Sequence, residues 1–353
     1  MGASRHLGLP SSVLTLIWAL AAAREACHKS AAMQPPDPML LHAFSLLQAG
    51  QPQQALALFQ QLAARNDPGA LATLAHLTWS GDLVPQSFPL GREYYHRAGE
   101  AGHEVSGFYA TNLLASGLAG PRDWPEALRR LRREAARNPV RARILAKLAS
   151  LVLTNDGDPV TPPRGEMLSE NPQITLFRGA FSPAECAYFF EVEKPDFKRA
   201  NVLDERDGSE RPDPIRTSEE SHIHWLIEDP LIHAFNRRLA AMSGTDVKQG
   251  EPLQILRYRP GQQYRAHLDY IAGAANQRVK TALLYLNQDY GGGETAFPSV
   301  GLTVKGRIGD VLLFRNALDD GKVDKRSEHA GLPVLEGVKL IATRWIRERE
   351  HIV

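Results

Sequence analysis

A break near the middle of the chain limits what it can fold into. Residues 155–165 (Asn-Asp-Gly-Asp-Pro-Val-Thr-Pro-Pro-Arg-Gly) carry two glycines and three prolines. Proline lacks the amide donor that a helix needs and glycine loosens the backbone, so regular structure stops there. The two sides differ in texture. Before the break, Ala and Leu dominate and apolar residues recur at spacings of three and four, the period of a helix. After it, short runs such as Ile174-Thr175-Leu176-Phe177 read as strands. The expected organisation is therefore a leader over residues 1–38, a helical domain over 39–154, a linker over 155–170 and a β-rich domain over 171–353. At 353 residues the chain is long enough for two domains, each with its own core.

The helical half repeats itself at a period of 36. Ala55, Gly91 and Ala127 share one position; Gly81 and Gly117 share another, each ahead of a loop carrying Pro85 or Pro121; Ala110 and Ala146 are a further pair. A period of this size with two helices per unit signals an α-solenoid, here of about three units. The segments Ala70–Gly81 and Tyr94–His103 resemble Sel1-like repeats, relatives of the tetratricopeptide repeat. The small residues would let helices of adjacent units approach closely. Arg129-Arg130-Leu131-Arg132-Arg133 is interrupted by an apolar residue at helical spacing and reads as a solvated helix face rather than a nucleic-acid patch. His42, His76, His96 and His103 have no carboxylate or thiol partner at ligand spacing and read as surface or packing residues.

In the β-rich half, Ser182-Pro183-Ala184-Glu185 opens a helix expected to run to about Val192, with Ser at the N-cap and Pro in the first turn. Asp204–Gly208 reads as a turn, and Pro212 and Pro214 argue against regular structure around them. Asp229-Pro230 opens a second helix through Met242, ended by Ser243-Gly244, and strands begin at Leu253. The chemistry concentrates beyond that point. His267 and Asp269 sit at i and i+2, which on a strand places both side chains on one face. His329 follows 60 residues after Asp269, far enough for the chain to fold through several strands and return. Two imidazoles and one carboxylate leave three positions of a metal ion open, the pattern of non-haem Fe(II) oxygenases, although ligand types alone also suit other divalent ions. Lys339, ten residues after His329, lies in the alternating run Gly337–Ile346, where a cation can hold the distal carboxylate of a keto acid. Gly291-Gly292-Gly293 reads as a tight turn; it lacks the Lys and the following helix of a phosphate-binding loop. Asp319–Lys325 reads as a charged loop ahead of His329.

These residues stand among further blocks: Tyr258-Arg259-Pro260-Gly261-Gln262-Gln263-Tyr264, Thr281–Asn287, Gly291–Pro298 and Gly309–Phe314. In order and spacing they resemble the prolyl 4-hydroxylase family of Fe(II)/2-oxoglutarate dioxygenases, over residues 174–346 with a catalytic core at 250–348. The resemblance implies a double-stranded β-helix (jelly-roll) fold. It implies Fe(II) on His267, Asp269 and His329, and 2-oxoglutarate on Lys339. Tyr258, Thr295 and Trp345 match further positions around the cosubstrate. Arg216, in Arg216-Thr217-Ser218, matches a loop beside the peptide groove. The implied reaction uses O2, converts 2-oxoglutarate to succinate and hydroxylates a peptidyl proline, with L-ascorbate keeping the iron reduced. The sequence itself does not specify proline. The competing reading is a catalytically silent scaffold whose repeats bind a protein partner; in the enzymatic reading the repeats recruit the substrate.

Composition excludes some partners. Lys+Arg 41 against Asp+Glu 40 gives a net charge of +1, so no global field draws the chain to nucleic acid or an anionic membrane. Cys27 and Cys186, far apart, form no ligand motif and suit a reducing compartment. A cytoplasmic location is expected. The alternative is export, because residues 12–23 form an apolar run of signal-peptide length, too short for a span of about 20 residues; a start at Met33 is the competing account of that segment. No other stretch could span a membrane.

Overall fold

The computed structural model describes residues 37–191, 197–203, 210–212 and 215–351. The expectations for the apolar run at 12–23, for Cys27 and Met33, for the turn at 204–208 and for Pro214 lie outside the described residues. The chain divides into two compact units, Met1–Ala142 and Arg143–Val353. The linker expected at 155–170 therefore falls inside the second unit. It is pinned there by a bridge between Leu153 and Pro159, an Arg237–Asp158 ion pair and a strand that starts at Glu166.

In the first unit the helices are α1 (Pro38–Gln48), α2 (Pro52–Ala64), α3 (Pro68–Ser80), α4 (Phe88–Glu100), α5 (Glu104–Ser116) and α6 (Trp124–Ala135), with α7 (Pro139–Leu148) crossing the division point. From α1 to α6 each helix packs on the next in the chain. Their starts are chemically marked. Asp37, Asp67, Ser87 and Asp123 accept hydrogen bonds from first-turn amides, and proline opens several helices where its missing N–H costs nothing. Gly81 and Gly117, the glycines 36 apart, are the left-handed C-caps of α3 and α5, with φ of 81° and 72°. Ala55, Gly91 and Ala127 are all buried; a methyl on Gly91 would sit 3.2 Å from the Trp79 backbone. The period fades at the end of the series, since Ala110 is buried and Ala146 is exposed. Arg129, Arg132 and Arg133 are exposed on α6, whereas Arg130 pairs with Glu126 at 2.9 Å.

The second unit is mainly β. Its strands are β1 (Glu166–Glu170), β2 (Gln173–Phe177), β3 (Lys198–Arg199), β4 (Asn201–Leu203), β5 (Glu210–Pro212), β6 (Glu219–Ile223), β7 (Leu253–Tyr258), β8 (Tyr264–His267), β9 (Arg278–Tyr285), β10 (Tyr290–Gly292), β11 (Thr295–Phe297), β12 (Leu302–Val304), β13 (Val311–Arg315), β14 (His329–Gly331), β15 (Val334–Gly337) and β16 (Lys339–Arg347). The larger sheet has the order β1-β2-β13-β9-β16-β7-β6-β3, and a smaller one runs β12-β11-β14-β8. Their pairings are antiparallel. Leu256, Leu283, Tyr285, Phe314 and Ile341 from the larger sheet meet Phe297 and Val304 from the smaller in one buried core. This two-sheet antiparallel architecture is the one a jelly roll requires.

Two helices flank the sheets. Helix α8 (Pro183–Tyr188) carries a complete Ser182/Glu185 capping box, and its C-cap is Phe189, so it stops short of the expected Val192. Helix α9 (Pro230–Ser243) starts at the Asp229 cap and ends at Gly244, φ 64°, as its sequence signals predict. Pro212 corrects an expectation: it closes β5, at the end of a two-stranded pair with β4, a position where a missing donor is tolerated. The glycine run is corrected too. Gly291 and Gly292 belong to β10 and pair with β15 through a bulge, with Gly292 at φ 66° and Gly293 at φ 69°. No described helix is long and apolar enough to cross a membrane.

Candidate metal centre and its cavity

Strand β8 ends at His267 and β14 begins at His329, and the two residues are direct cross-strand partners. Their rings lie 4.2 Å apart between centroids. Asp269 is not on the strand, as the i, i+2 argument expected, but two residues past its end. Its carboxylate is turned inward by a hydrogen bond from Thr281 on β9. The outcome is the same convergence: Asp269 lies 3.7 Å from His267 Nε2 through one oxygen and 3.7 Å from His329 Nε2 through the other. One ligand atom from each of the three lies within 4.8 Å of the others, the only such grouping among the described residues.

The ring orientations suit a metal. His267 Nδ1 lies 2.8 Å from the Arg265 carbonyl and His329 Nδ1 3.1 Å from the Ser327 carbonyl. A carbonyl only accepts, so each Nδ1 carries a hydrogen and each Nε2 is the ring nitrogen left to face a metal. Burial, reinforced by the neighbouring His329, pulls His267 down to about 4. Burial disfavours the Asp269 carboxylate, but His329, His267 and the Thr281 donor outweigh it and hold the acid below its ordinary range. Two imidazoles and one carboxylate converging in a buried pocket are a donor set that fits Fe(II) with open positions.

One cavity, about 30 Å³, is lined by Tyr258, His267, Asp269, Thr295, His329, Lys339 and Trp345, so seven of the eight expected residues share it. The alternation of β16 explains part of this: Lys339, Ile341, Thr343 and Trp345 occur at every second position and all face inward. Lys339, 2 % exposed, is the cross-strand partner of Tyr258 and donates to the Gly293 carbonyl at 2.7 Å. Its ammonium lies 5.4 Å and 5.9 Å from the ring centres of Tyr258 and Tyr285. Burial, offset only in part by Glu294, pushes it down to about 8. Trp345 is braced from behind by Arg278, 3.9 Å from its ring and bound through two nitrogens to Glu251 at 2.6 and 2.8 Å. A wider cavity of about 540 Å³ beside α8 and α9 shares no residue with this one, and its lining brings together no comparable ligand set.

Arg216 is the exception. It does not line the cavity; it pairs with Glu220 at 2.6 Å and lies over the Tyr264 ring. Tyr264 in turn stacks on His267, with centroids 3.4 Å and planes 11° apart, so Arg216 backs a ligand through an aromatic ring. Four contributors escaped the sequence reasoning as individuals: Tyr264, Thr281, Tyr285 and Asn316. Tyr285, whose hydroxyl lies 3.1 Å from that of Thr295, had a signal available, because it shares the inward face of β9 with Thr281 and Leu283. Asn316 had none.

The sequence model of the 2OG-Fe(II) oxygenase superfamily matches residues 253–347. Prolyl 4-hydroxylase 1 of Arabidopsis thaliana is 36% identical over 203 residues, covering 52% of this chain and 72% of the relative. Probable prolyl 4-hydroxylase 10 of the same plant is 32% identical over 212 residues, covering 53% and 73%. Among solved structures, the viral collagen prolyl hydroxylase of Paramecium Bursaria Chlorella virus-1 is 28% identical, covers 49% of this chain and 95% of its own, and superposes with a TM-score of 0.37.

Proposed function

Because this chain belongs to the prolyl 4-hydroxylase family of 2-oxoglutarate- and Fe(II)-dependent oxygenases, we propose that it hydroxylates a peptidyl proline at carbon 4. The observation that carries the reading is the convergence of His267, Asp269 and His329 in one cavity with Lys339. The three ligands hold the iron. Lys339 would receive the distal carboxylate of 2-oxoglutarate, and Tyr258 and Thr295 would offer hydroxyl groups in the same cavity. Bound iron, with 2-oxoglutarate and O2, supplies oxidative decarboxylation to succinate and CO2 and the transfer of one oxygen atom into a C–H bond.

The chain's own residues do the rest. Backbone carbonyls at Arg265 and Ser327 keep both imidazoles in the ligating tautomer. Trp345 and Leu283 exclude water from the cosubstrate side. Arg216, which backs His267 through Tyr264, would act toward the peptide. L-Ascorbate serves as the reductant that restores Fe(II) after uncoupled turnover. The helical unit is a set of Sel1-like repeats, supported by the paired C-cap glycines Gly81 and Gly117, and it recruits the protein substrate. The cytoplasm is the proposed site of action.

The test is succinate release from 2-oxoglutarate by anaerobically iron-loaded protein, across proline-containing peptides, with His329→Ala as control and mass spectrometry of the peptide. Turnover stimulated by a peptide that gains one oxygen on proline, absent in the control, is the expected result. Oxygen found on another residue would overturn the proline assignment. Failure of the parent protein to bind iron would overturn the enzyme reading.

A further inference from the structure

We propose that Thr281, backed by Asn316, is a positioning residue that fixes the Asp269 carboxylate and thereby sets how tightly the three-residue site holds a divalent metal. The inference rests on the metal-site reading above and extends it to residues that touch no metal. Asp269 lies past the end of β8, where no strand ladder orients it. What restrains it is the Thr281 hydroxyl, which donates to Oδ2 at 2.7 Å. Thr281 is 0% exposed and sits within β9, between β13 and β16 in the larger sheet, so its own position is rigid.

The direction of that hydrogen bond is set by a second one. Asn316 Nδ2 donates to Thr281 Oγ1 at 2.9 Å. A hydroxyl has one proton; with a lone pair taken by the amide, that proton points to the carboxylate. Asn316 is itself 0% exposed and anchored at its backbone, its N–H on the Val279 carbonyl at 2.9 Å and its carbonyl accepting from Asp324 N–H at 3.0 Å. The relay Asn316→Thr281→Asp269 is therefore tied at its far end to backbone, at Val279 of β9 and at Asp324, rather than to a mobile side chain. By engaging Oδ2, Thr281 also disfavours chelation of one ion by both carboxylate oxygens, which keeps positions open for cosubstrate.

The experiment is Co(II) binding to the full-length apoprotein in competition with a chelator, without cosubstrate, read as affinity and as the visible ligand-field bands that report coordination number. Thr281→Val keeps the shape and removes the donor; it should weaken Co(II) by about 10- to 100-fold and change the bands. Thr281→Ser restores the hydroxyl and should return affinity to within roughly threefold of the parent, a rescue that a purely structural role would not give. Should Thr281→Val not fold, Asn316→Leu leaves the hydroxyl in place but undirected, and should weaken binding by roughly 3- to 10-fold. Parent-like affinity and bands in the folded Thr281→Val or Asn316→Leu protein would overturn the proposal while leaving the metal site intact. A parent protein that binds no Co(II) would overturn the site reading as well.

Discussion

Lys339 holds an ammonium where burial disfavours it, with one carbonyl as its neutral partner and two tyrosine rings around it. Its folded value of about 8 lies below the ordinary 10.5. Between those values the unfolded chain holds a proton that the folded chain has released, so this group makes stability rise with pH across that window. At neutral pH it costs stability, and Lys339→Met should leave the melting temperature unchanged or raise it by a few degrees. The same variant should weaken 2-oxoglutarate by about 100-fold or more, from the loss of a buried ion pair. Calorimetry and cosubstrate titration on one sample separate the two effects. In the parent, 2-oxoglutarate affinity should be level below pH 8 and fall above it, because the bound dianion requires the protonated lysine; affinity that stays level to pH 9.5 would contradict this. Residues of this kind were legible in the sequence: His267, Asp269, His329 and Lys339 announce themselves by type and spacing. Thr281 and Asn316 did not, because threonine in a strand and asparagine after one are ordinary, and their partners are set by folding rather than by interval.

The helical elements turn on small residues at their crossings. A methyl on Gly99 would lie 2.7 Å from the Gly107 backbone, so α4 and α5 approach as closely as two glycines allow. Gly99→Ala must push backbones apart and should cost about 1–3 kcal/mol. Gly102→Ala, at φ 99° with nothing within 4 Å, carries only the conformational penalty of about 1–2 kcal/mol. Chemical denaturation of both variants checks the two costs; a Gly99→Ala protein as stable as the parent would mean that the crossing is not tight. Helix starts and stops could be read from Asp, Ser, Pro and Gly because capping is local chemistry. The strands were harder. The place of β10 opposite β15 depends on a partner more than forty residues away, so its glycines read as a free turn. Asp269 shows the same limit, since its carboxylate is placed by β9 and not by the strand that precedes it.

The β-rich unit has its own core and carries the three converging ligands with Lys339. A chain beginning at Pro139, which keeps α7 whole, should fold and bind Co(II) with parent affinity. Its turnover of short peptides should match the parent, while KM for the full-length protein substrate should rise at least about tenfold if recruitment by the helical unit adds effective concentration. Unchanged kinetics on the protein substrate would remove recruitment as the role of the repeats. His267 and His329 face each other across a strand pair while the intervening chain makes a long excursion that carries β9 to β13 and the charged segment 319–325. An ion shared by the two histidines is therefore a removable staple across that excursion, and any ligand favouring the folded state adds about 2.7 kcal/mol at a hundred times its dissociation constant. Withdrawing iron should expose the 319–325 segment to proteases well before the rest of the molecule. Metal supply would then govern how long the protein survives as well as whether it works.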